Sequence, residues 1–127
     1  TKEDQERAEQ IMEFLGITHI RDLPMKELSY GQKKLLDLGS VLMSDPSFIL
    51  LDEPAAGVNP RLLETILDRI IVLKNQGKTI LLVEHNMELV MGISDKVIVM
   101  AAGSIIANGT PDEVQNNKQV LEVYLTG

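Results

Sequence analysis

The sequence of 127 residues contains no cysteine, no tryptophan and only four other aromatic residues, two tyrosines and two phenylalanines. The absence of cysteine excludes disulfide bonds and thiolate metal sites. Long apolar runs are absent too, because residues 48–51 and 80–83 fall far short of the ~20 residues that a membrane-spanning helix needs. The polar opening TKEDQERAEQ does not resemble a signal peptide. We therefore expect no direct insertion into a membrane.

Basic residues are in the minority, with 12 lysines and arginines against 19 aspartates and glutamates and a net charge of −7. An acidic surface repels the phosphate backbone of nucleic acids, and so few aromatic side chains leave little for base stacking. The composition therefore predicts no nucleic-acid partner. At this length we expect one domain around a single core.

The spacing of apolar residues predicts three long helices. The first covers residues 2–15 and ends at Gly16, and the second covers residues 32–43 behind an N-cap. The third begins at Pro60, a residue suited to the first turn of a helix, and stops at about residue 75.

Short apolar runs between the helices predict strands. Residues 47–51 and 78–85 are each built on a continuous apolar run, which is typical of parallel strands buried on both faces. Residues 96–110 predict two further strands around a tight turn at Ala102-Gly103, and short helices follow. Strands that alternate with helices predict an α/β fold.

The tetrapeptide Ser29-Tyr30-Gly31-Gln32 stands at the start of the second predicted helix. It offers a hydroxyl group, a glycine amide that a ligand can approach closely, and the positive end of a helix, which together suit an anion site. A serine in this place is also an ordinary helix N-cap. The tetrapeptide alone leaves both interpretations open.

A second group of polar residues follows the predicted buried strands. Asp52 and Glu53 come directly after one strand, where open α/β sheets present ligand-binding groups, so they could hold hydrated Mg²⁺ and orient a water molecule. The other interpretation is a solvated turn before Pro54. His85 ends the next strand and is a candidate for sensing a phosphate, although a lone histidine is more often structural.

In this order, the features resemble the C-terminal part of the ATP-binding subunit of ABC transporters. LSYGQ is similar to the signature motif of that family, FILLDEP to its Walker B strand, AAGVNP to its D-loop and VEHN to its switch-histidine segment. Residues 83–127 resemble the ATPase subunits of branched-chain amino acid importers of the LivG type. Leu35 and Ser40 depart from the pattern, because the family usually has arginines there.

The resemblance implies the C-terminal part of a P-loop NTPase with a RecA-like core and mostly parallel strands. Residues 1–127 would be a single partial domain, with 1–45 in the helical subdomain that carries the signature helix and 46–127 in the core. The sequence has no Gly-x₄-Gly-Lys-Ser/Thr loop, so the Walker A strand and loop are absent. Gly77-Lys78-Thr79 does not qualify, because Val72 stands where the first glycine belongs.

The resemblance also implies roles for individual residues around ATP and Mg²⁺. The signature residues would clasp the γ-phosphate of an ATP bound by a second subunit, the D-loop would bridge the two sites, and the residues after the strands would bind Mg²⁺ and act in hydrolysis. The implied residues are Ser29, Tyr30, Gly31 and Gln32 of the signature motif, Asn59 of the D-loop, Asp52 for Mg²⁺, and Glu53 and His85 for catalysis.

As partners, the resemblance implies a second ABC ATPase subunit in a head-to-tail dimer and membrane permease subunits. These would hold the chain at the inner face of the cell membrane, on the cytoplasmic side. The implied function is ATP hydrolysis that drives branched-chain amino acid import, with this chain inactive alone because Walker A is missing. The missing strand would leave open sheet edges, so the chain would either form a homo-oligomer by strand exchange, which we expect, or close the gap by moving residues 97–100 beside residues 80–84. The alternative is a non-catalytic, truncated remnant that acts as a protein-interaction domain.

Overall fold

The computed structural model describes residues 1–125, which form an α/β fold of six α-helices and four strands. The helices are α1 (Lys2–Leu15), α2 (Tyr30–Leu42), α3 (Pro60–Asn75), α4 (Met87–Ile93), α5 (Pro111–Gln115) and α6 (Lys118–Leu125). The strands are β1 (Phe48–Asp52), β2 (Thr79–Val83), β3 (Val97–Ala101) and β4 (Ser104–Gly109). The predicted fold class is confirmed, and every predicted long helix is present.

Local signals in the sequence fix where the long helices begin and end. Helix α1 ends at Gly16, whose φ of 71° is the left-handed conformation that glycine adopts without strain. Helix α3 begins with Pro60 behind the side chain of Asn59. The segment between α1 and α2 shows no periodicity in the sequence, but it contains two short 3₁₀ turns, Thr18–Ile20 and Met25–Glu27. Such turns are too short to leave a periodic signal.

The chain divides into two compact units, Thr1–Val83 and the residues from Glu84 onward. In the first unit β1 and β2 pair in parallel, with Leu50 opposite Leu81, as the apolar runs predicted. The core of this unit consists of side chains from the helices and from β1, among them Leu15, Leu35, Leu38, Ile49, Ile66 and Ile70. The division of the chain at residue 45 into subdomain and core stays a prediction.

The prediction that β1 and β2 are buried on both faces is wrong. Ile49 is buried, but Phe48 and Leu50 on β1 are 55% and 59% exposed, and Leu81 and Val83 on β2 are 48% and 47% exposed. A sheet is buried on both faces only where it is covered on both sides, and the helices of this unit cover the side of Ile49. We call the uncovered side the open face, defined by Phe48, Leu50, Leu81 and Val83.

The second unit contains an antiparallel hairpin of β3 and β4, joined at Ala102-Gly103 as predicted. Its core brings together Val97, Val99, Ala107, Val114 and Val120 from the hairpin and the two C-terminal helices, with methionines of α4 packed against them. Among residues 1–125, none of the helices is long and apolar enough to span a bilayer.

Candidate functional site

The first turn of α2 is closed by a reciprocal cap. The Ser29 hydroxyl oxygen accepts a hydrogen bond from the Gln32 amide at 3.1 Å, and the Gln32 side-chain oxygen accepts one from the Ser29 amide at 2.9 Å. The interpretation of Ser29 as an N-cap is therefore realised. It does not exclude an anion site, because a hydroxyl that accepts a hydrogen bond can still donate its own hydrogen.

The loop after β1 begins with a strained residue. Asp52 is the last residue of the strand, and Glu53 follows with a φ of 47°, in the left-handed region that costs a residue other than glycine about 1–3 kcal/mol. The Glu53 amide donates to the Val83 carbonyl at 2.7 Å, and the Glu53 carbonyl accepts from the Ala56 amide at 3.1 Å. These two bonds fix the backbone of Glu53 on both sides.

Two side chains of α2 reach this loop. The Tyr30 hydroxyl donates to the Ala56 carbonyl at 3.1 Å, and Lys34 Nζ donates to the carbonyls of Glu53 at 3.2 Å and Pro54 at 3.5 Å. The ammonium group of Lys34 also lies 5.5 Å from the centre of the Tyr30 ring. The structure thus joins the predicted phosphate-binding turn to the predicted acidic pair.

Gly31 has a packing role that the sequence did not indicate. An added Cβ at this position would lie 1.9 Å from Cδ2 of Leu62 on α3, far inside van der Waals contact. The glycine therefore allows the first turns of α2 and α3 to approach. Its predicted contact with a phosphate is compatible with this role and stays a prediction.

Asn59 also has a local function, because its side-chain oxygen accepts the Leu62 amide at 2.9 Å and caps α3. Asp52 is exposed and lines a cavity of about 210 Å³ between α2, β1 and α3, together with Lys34 and Asp37. The roles of Asn59 between two sites and of Asp52 in metal binding stay predictions.

At the end of β1, Asp52 offers one exposed carboxylate as a ligand for Mg²⁺. Among residues 1–125, no group of three or more histidine, aspartate or glutamate side chains could hold a metal ion. Mg²⁺ in nucleotide sites is held by one or two carboxylates, with phosphate and water oxygens as the other ligands. The exposed carboxylate of Asp52 fits that mode and does not fit an all-protein metal site.

His85 belongs to the second unit. Strand β2 ends at Val83, so the predicted strand over residues 78–85 is too long, and the exposed His85 precedes the Asn86 cap of α4. Its predicted place beside the acidic pair stays a prediction.

Sequence reasoning missed Lys34 and Gly57 as parts of this site. A Cβ on Gly57 would lie 3.0 Å from Cε1 of Tyr30, so this glycine, with a φ of 70°, provides the surface on which the ring rests. Lys34 follows Tyr30 by four residues, which places both on one face of α2 and could have indicated a shared target. The target itself lies 19 or more residues away along the chain and leaves no local signal.

Comparison with known proteins gives two family matches. A family model described as "AAA domain, putative AbiEii toxin, Type IV TA system" matches residues 1–91. A second model, described as "Branched-chain amino acid ATP-binding cassette transporter", matches residues 104–125.

Curated relatives and solved structures agree with these matches. The chain is 43% identical over 120 residues to a probable branched-chain amino acid transport ATP-binding protein LivG of Archaeoglobus fulgidus, covering 94% of this chain and 47% of that protein. It is 39% identical over 121 residues to the lipopolysaccharide export system ATP-binding protein LptB of Haemophilus influenzae, covering 95% and 50%. The ADP conformation of MJ1267, an ATP-binding cassette of an ABC transporter, superposes with a TM-score of 0.88 at 38% identity, covering 100% of this chain and 52% of that one.

The chain spans about half the length of the curated relatives it matches. The first family model covers well over half of the chain, and the relatives and the superposed structure are ATP-binding cassettes. The chain belongs to the family of this AAA-domain model, and over nearly its whole length it is similar to an ATP-binding cassette of an ABC transporter and to LivG proteins, about half of whose length it spans.

Proposed function

We propose that this chain is the C-terminal part of an ATP-hydrolysing subunit of an ABC importer for branched-chain amino acids. The observation that carries this function is the joining of α2 to the loop after β1. Through Tyr30 and Lys34, the turn with a hydroxyl and a helix N-terminus is attached to the loop that carries Glu53. Phosphoryl chemistry needs both kinds of group, one to bind the phosphate and one to activate water, and in a head-to-tail dimer each ATP would meet the turn of one subunit and the carboxylates of the other.

In this function the side chains at the start of α2 bind a phosphate held by a second subunit. The Ser29 hydroxyl donates its hydrogen, the first-turn amides and the helix dipole attract the negative charge, and Gln32 braces the turn through its cap. Tyr30 attaches this turn to Ala56 and Gly57. Asn59, at the cap of α3, lies in the loop that bridges the two sites.

The acidic pair acts on the ATP held on this subunit's own side of the dimer. Asp52 would hold Mg²⁺, which would supply neutralisation of the charge that develops on the phosphate oxygens. Glu53 accepts a proton from the attacking water, a step worth about 10²–10⁴ in rate for a positioned general base. His85 contacts the γ-phosphate and reports its presence.

The substrate class rests on the C-terminal residues. The relatives include both a branched-chain amino acid transport protein and a lipopolysaccharide export protein at similar identity, so overall identity does not decide between them. The family model over residues 104–125 is the one described for branched-chain amino acid transport. We infer import of branched-chain amino acids through permease subunits, with the chain held at the inner face of the membrane by those subunits.

The test is a fused protein in which the chain is joined to the part of the Archaeoglobus fulgidus relative that it does not cover. We expect Mg²⁺-dependent ATP hydrolysis by this fusion. In it, Glu53→Gln should lower kcat by about 10²–10⁴ while ATP binding is retained, because the amide keeps the shape and loses the base. Ser29→Ala should instead weaken closure on the second subunit's ATP.

Glu64→Gln on the exposed side of α3 is the matched control and should hydrolyse ATP at the rate of the parent fusion. Hydrolysis at the parent rate by Glu53→Gln would show that Glu53 is not the base. A fusion that binds MgATP without hydrolysing it would favour the non-catalytic remnant.

A further inference from the structure

The loop of residues 53–57 is held by side chains of α2 in a conformation that its own sequence disfavours. We propose that Lys34 is a positioning residue which, with Tyr30, fixes the backbone of Glu53 and thereby aims its carboxylate. This role of Lys34 goes beyond the motif residues, and its catalytic part rests on the proposed function of Glu53.

The attachment of the loop to α2 depends on the carbonyl oxygen of Glu53. It accepts the Ala56 amide at 3.1 Å within the loop and Lys34 Nζ at 3.2 Å from α2. Both acceptor positions of the carbonyl oxygen are therefore engaged. An ammonium group gives a stronger hydrogen bond than a neutral donor would, so Lys34 strengthens the less local of the two contacts.

The left-handed φ of Glu53 gives this carbonyl its importance. At a φ of 47°, a glutamate is in a conformation that persists only where its surroundings impose it. The direction of the Cα–Cβ bond follows from the backbone angles, so a change of φ would swing the carboxylate away from the end of β1. A contact that fixes the carbonyl therefore also fixes the direction of the acid.

Tyr30 supplies a second attachment three residues further along. Its hydroxyl donates to the Ala56 carbonyl at 3.1 Å, and its ring lies against Gly57, where a Cβ would come within 3.0 Å. The loop is thus attached to α2 at both ends. Because Tyr30 directly follows the Ser29 cap, the phosphate-binding turn and the acidic loop are expected to move together.

Amide hydrogen exchange of the ¹⁵N-labelled chain of 127 residues tests the hold without requiring activity. Lys34→Met removes the donor and keeps the aliphatic stem, so the amides of Glu53 and Ala56 should exchange about 3- to 10-fold faster. Lys34→Arg should restore parental exchange, because a guanidinium group can also donate to these carbonyls. Tyr30→Phe keeps the ring on Gly57 and should raise exchange less than Lys34→Met.

Lys33→Met is the matched control, since Lys33 is exposed and lies on another face of the same helix. It should leave exchange of the loop amides unchanged. Unchanged exchange of Glu53 and Ala56 in Lys34→Met, with α1 amides confirming that the variant is folded, would overturn the hold. If Lys33→Met raised the exchange rates of these amides equally, the proposal would also be overturned, because the effect would then come from removing any positive charge from α2.

Kinetics of the fused protein test the catalytic part. Lys34→Met should lower kcat by about 10- to 100-fold, the scale expected of a misplaced reacting group, with little change of KM for ATP. Lys34→Arg should restore kcat. A raised KM with parental kcat would overturn the positioning of Glu53. If Glu53→Gln itself hydrolyses ATP at the parent rate, the proposed function has failed, and the exchange experiment still decides whether Lys34 holds the loop.

Discussion

Replacing Gly31 by alanine separates the packing role of this glycine from its predicted role at a phosphate. The new Cβ would stand 1.9 Å from Leu62 Cδ2, whereas carbon atoms in contact lie about 3.5–4.0 Å apart. The Leu62 side chain must therefore change its rotamer or α2 must shift. Overpacking of this kind costs about 1–3 kcal/mol, and the gain in helix propensity offsets at most ~1 kcal/mol of it. Because the clashing atom is a terminal methyl group that can move aside, we expect a net loss of about 0–2 kcal/mol in the free energy of unfolding of the first unit.

Urea unfolding followed by the amide NMR signals of each unit measures this loss separately for the two units. Gly92→Ala in α4 is the control, because nothing lies within 4 Å of the place that its Cβ would take and the site is helical. That substitution should stabilise the second unit by about 0.5–1 kcal/mol. Changes of opposite sign in the free energy of unfolding would show that the space around each glycine decides whether alanine stabilises or destabilises.

A double-mutant cycle with Leu62→Ala tests the cause. Without Cδ2 of Leu62, the clash disappears, so Gly31→Ala should cost little or even stabilise, with a coupling energy of about 1–3 kcal/mol. An equal cost of Gly31→Ala in both backgrounds would refute the reasoning. The cycle also makes activity data interpretable, because loss of hydrolysis in the double variant cannot be assigned to the clash.

Three further outcomes are expected. The hydrogen bond from Lys78 Nζ to Asp45 Oδ1, 2.5 Å long, lowers the pKa of Asp45 below its usual 3.8. The ionised Asp45 therefore stabilises the fold above pH 3.8, and this stabilisation is lost as the pH falls through the folded pKa. In urea unfolding, Asp45→Asn should destabilise the protein at neutral pH and have no effect in acid. The chain alone should bind MgATP with a Kd of about 1 mM or weaker, because its few contacts do not exceed an association cost of ~4–15 kcal/mol, and micromolar binding by calorimetry would contradict this. The chain should self-associate in light scattering through the open face and through the open edges of its sheets; the Leu50→Lys, Leu81→Lys double variant should reduce association through the face and leave strand exchange intact, and a stable monomer at every concentration would contradict both.

Helix boundaries could be predicted from the sequence because their causes are local. Gly16, Pro60 and the Ser29 cap act within one turn of the residues they affect, and the observed ends of α1, α2 and α3 agree with the predicted ones to within about two residues. The resemblance of the motifs identified the family for the same reason, since each motif is a short continuous stretch.

Burial and the contacts of the site could not be predicted in this way. An apolar run such as residues 48–51 indicates which side chains a strand could bury, but it does not indicate whether another element covers that side of the strand. The bonds from Tyr30 to Ala56 and from Lys34 to Glu53 join positions 26 and 19 residues apart, so they follow from how the helix and the loop pack. The left-handed Glu53 is likewise imposed from outside, because its residue type disfavours that conformation.

All six α-helices among residues 1–125 begin at a side chain that binds their own first turn. The side chains that accept a hydrogen bond from the amide three residues ahead are Thr1, Ser29, Asn59, Asn86, Thr110 and Asn117. Each such bond requires only four consecutive residues, so the residue at which a helix begins is encoded locally. The helices are marginal on their own and depend on packing, but once packed they begin at these residues. The cap of α3 therefore sets how many residues connect β1 to this helix, which limits the registers in which β1 and β2 can pair.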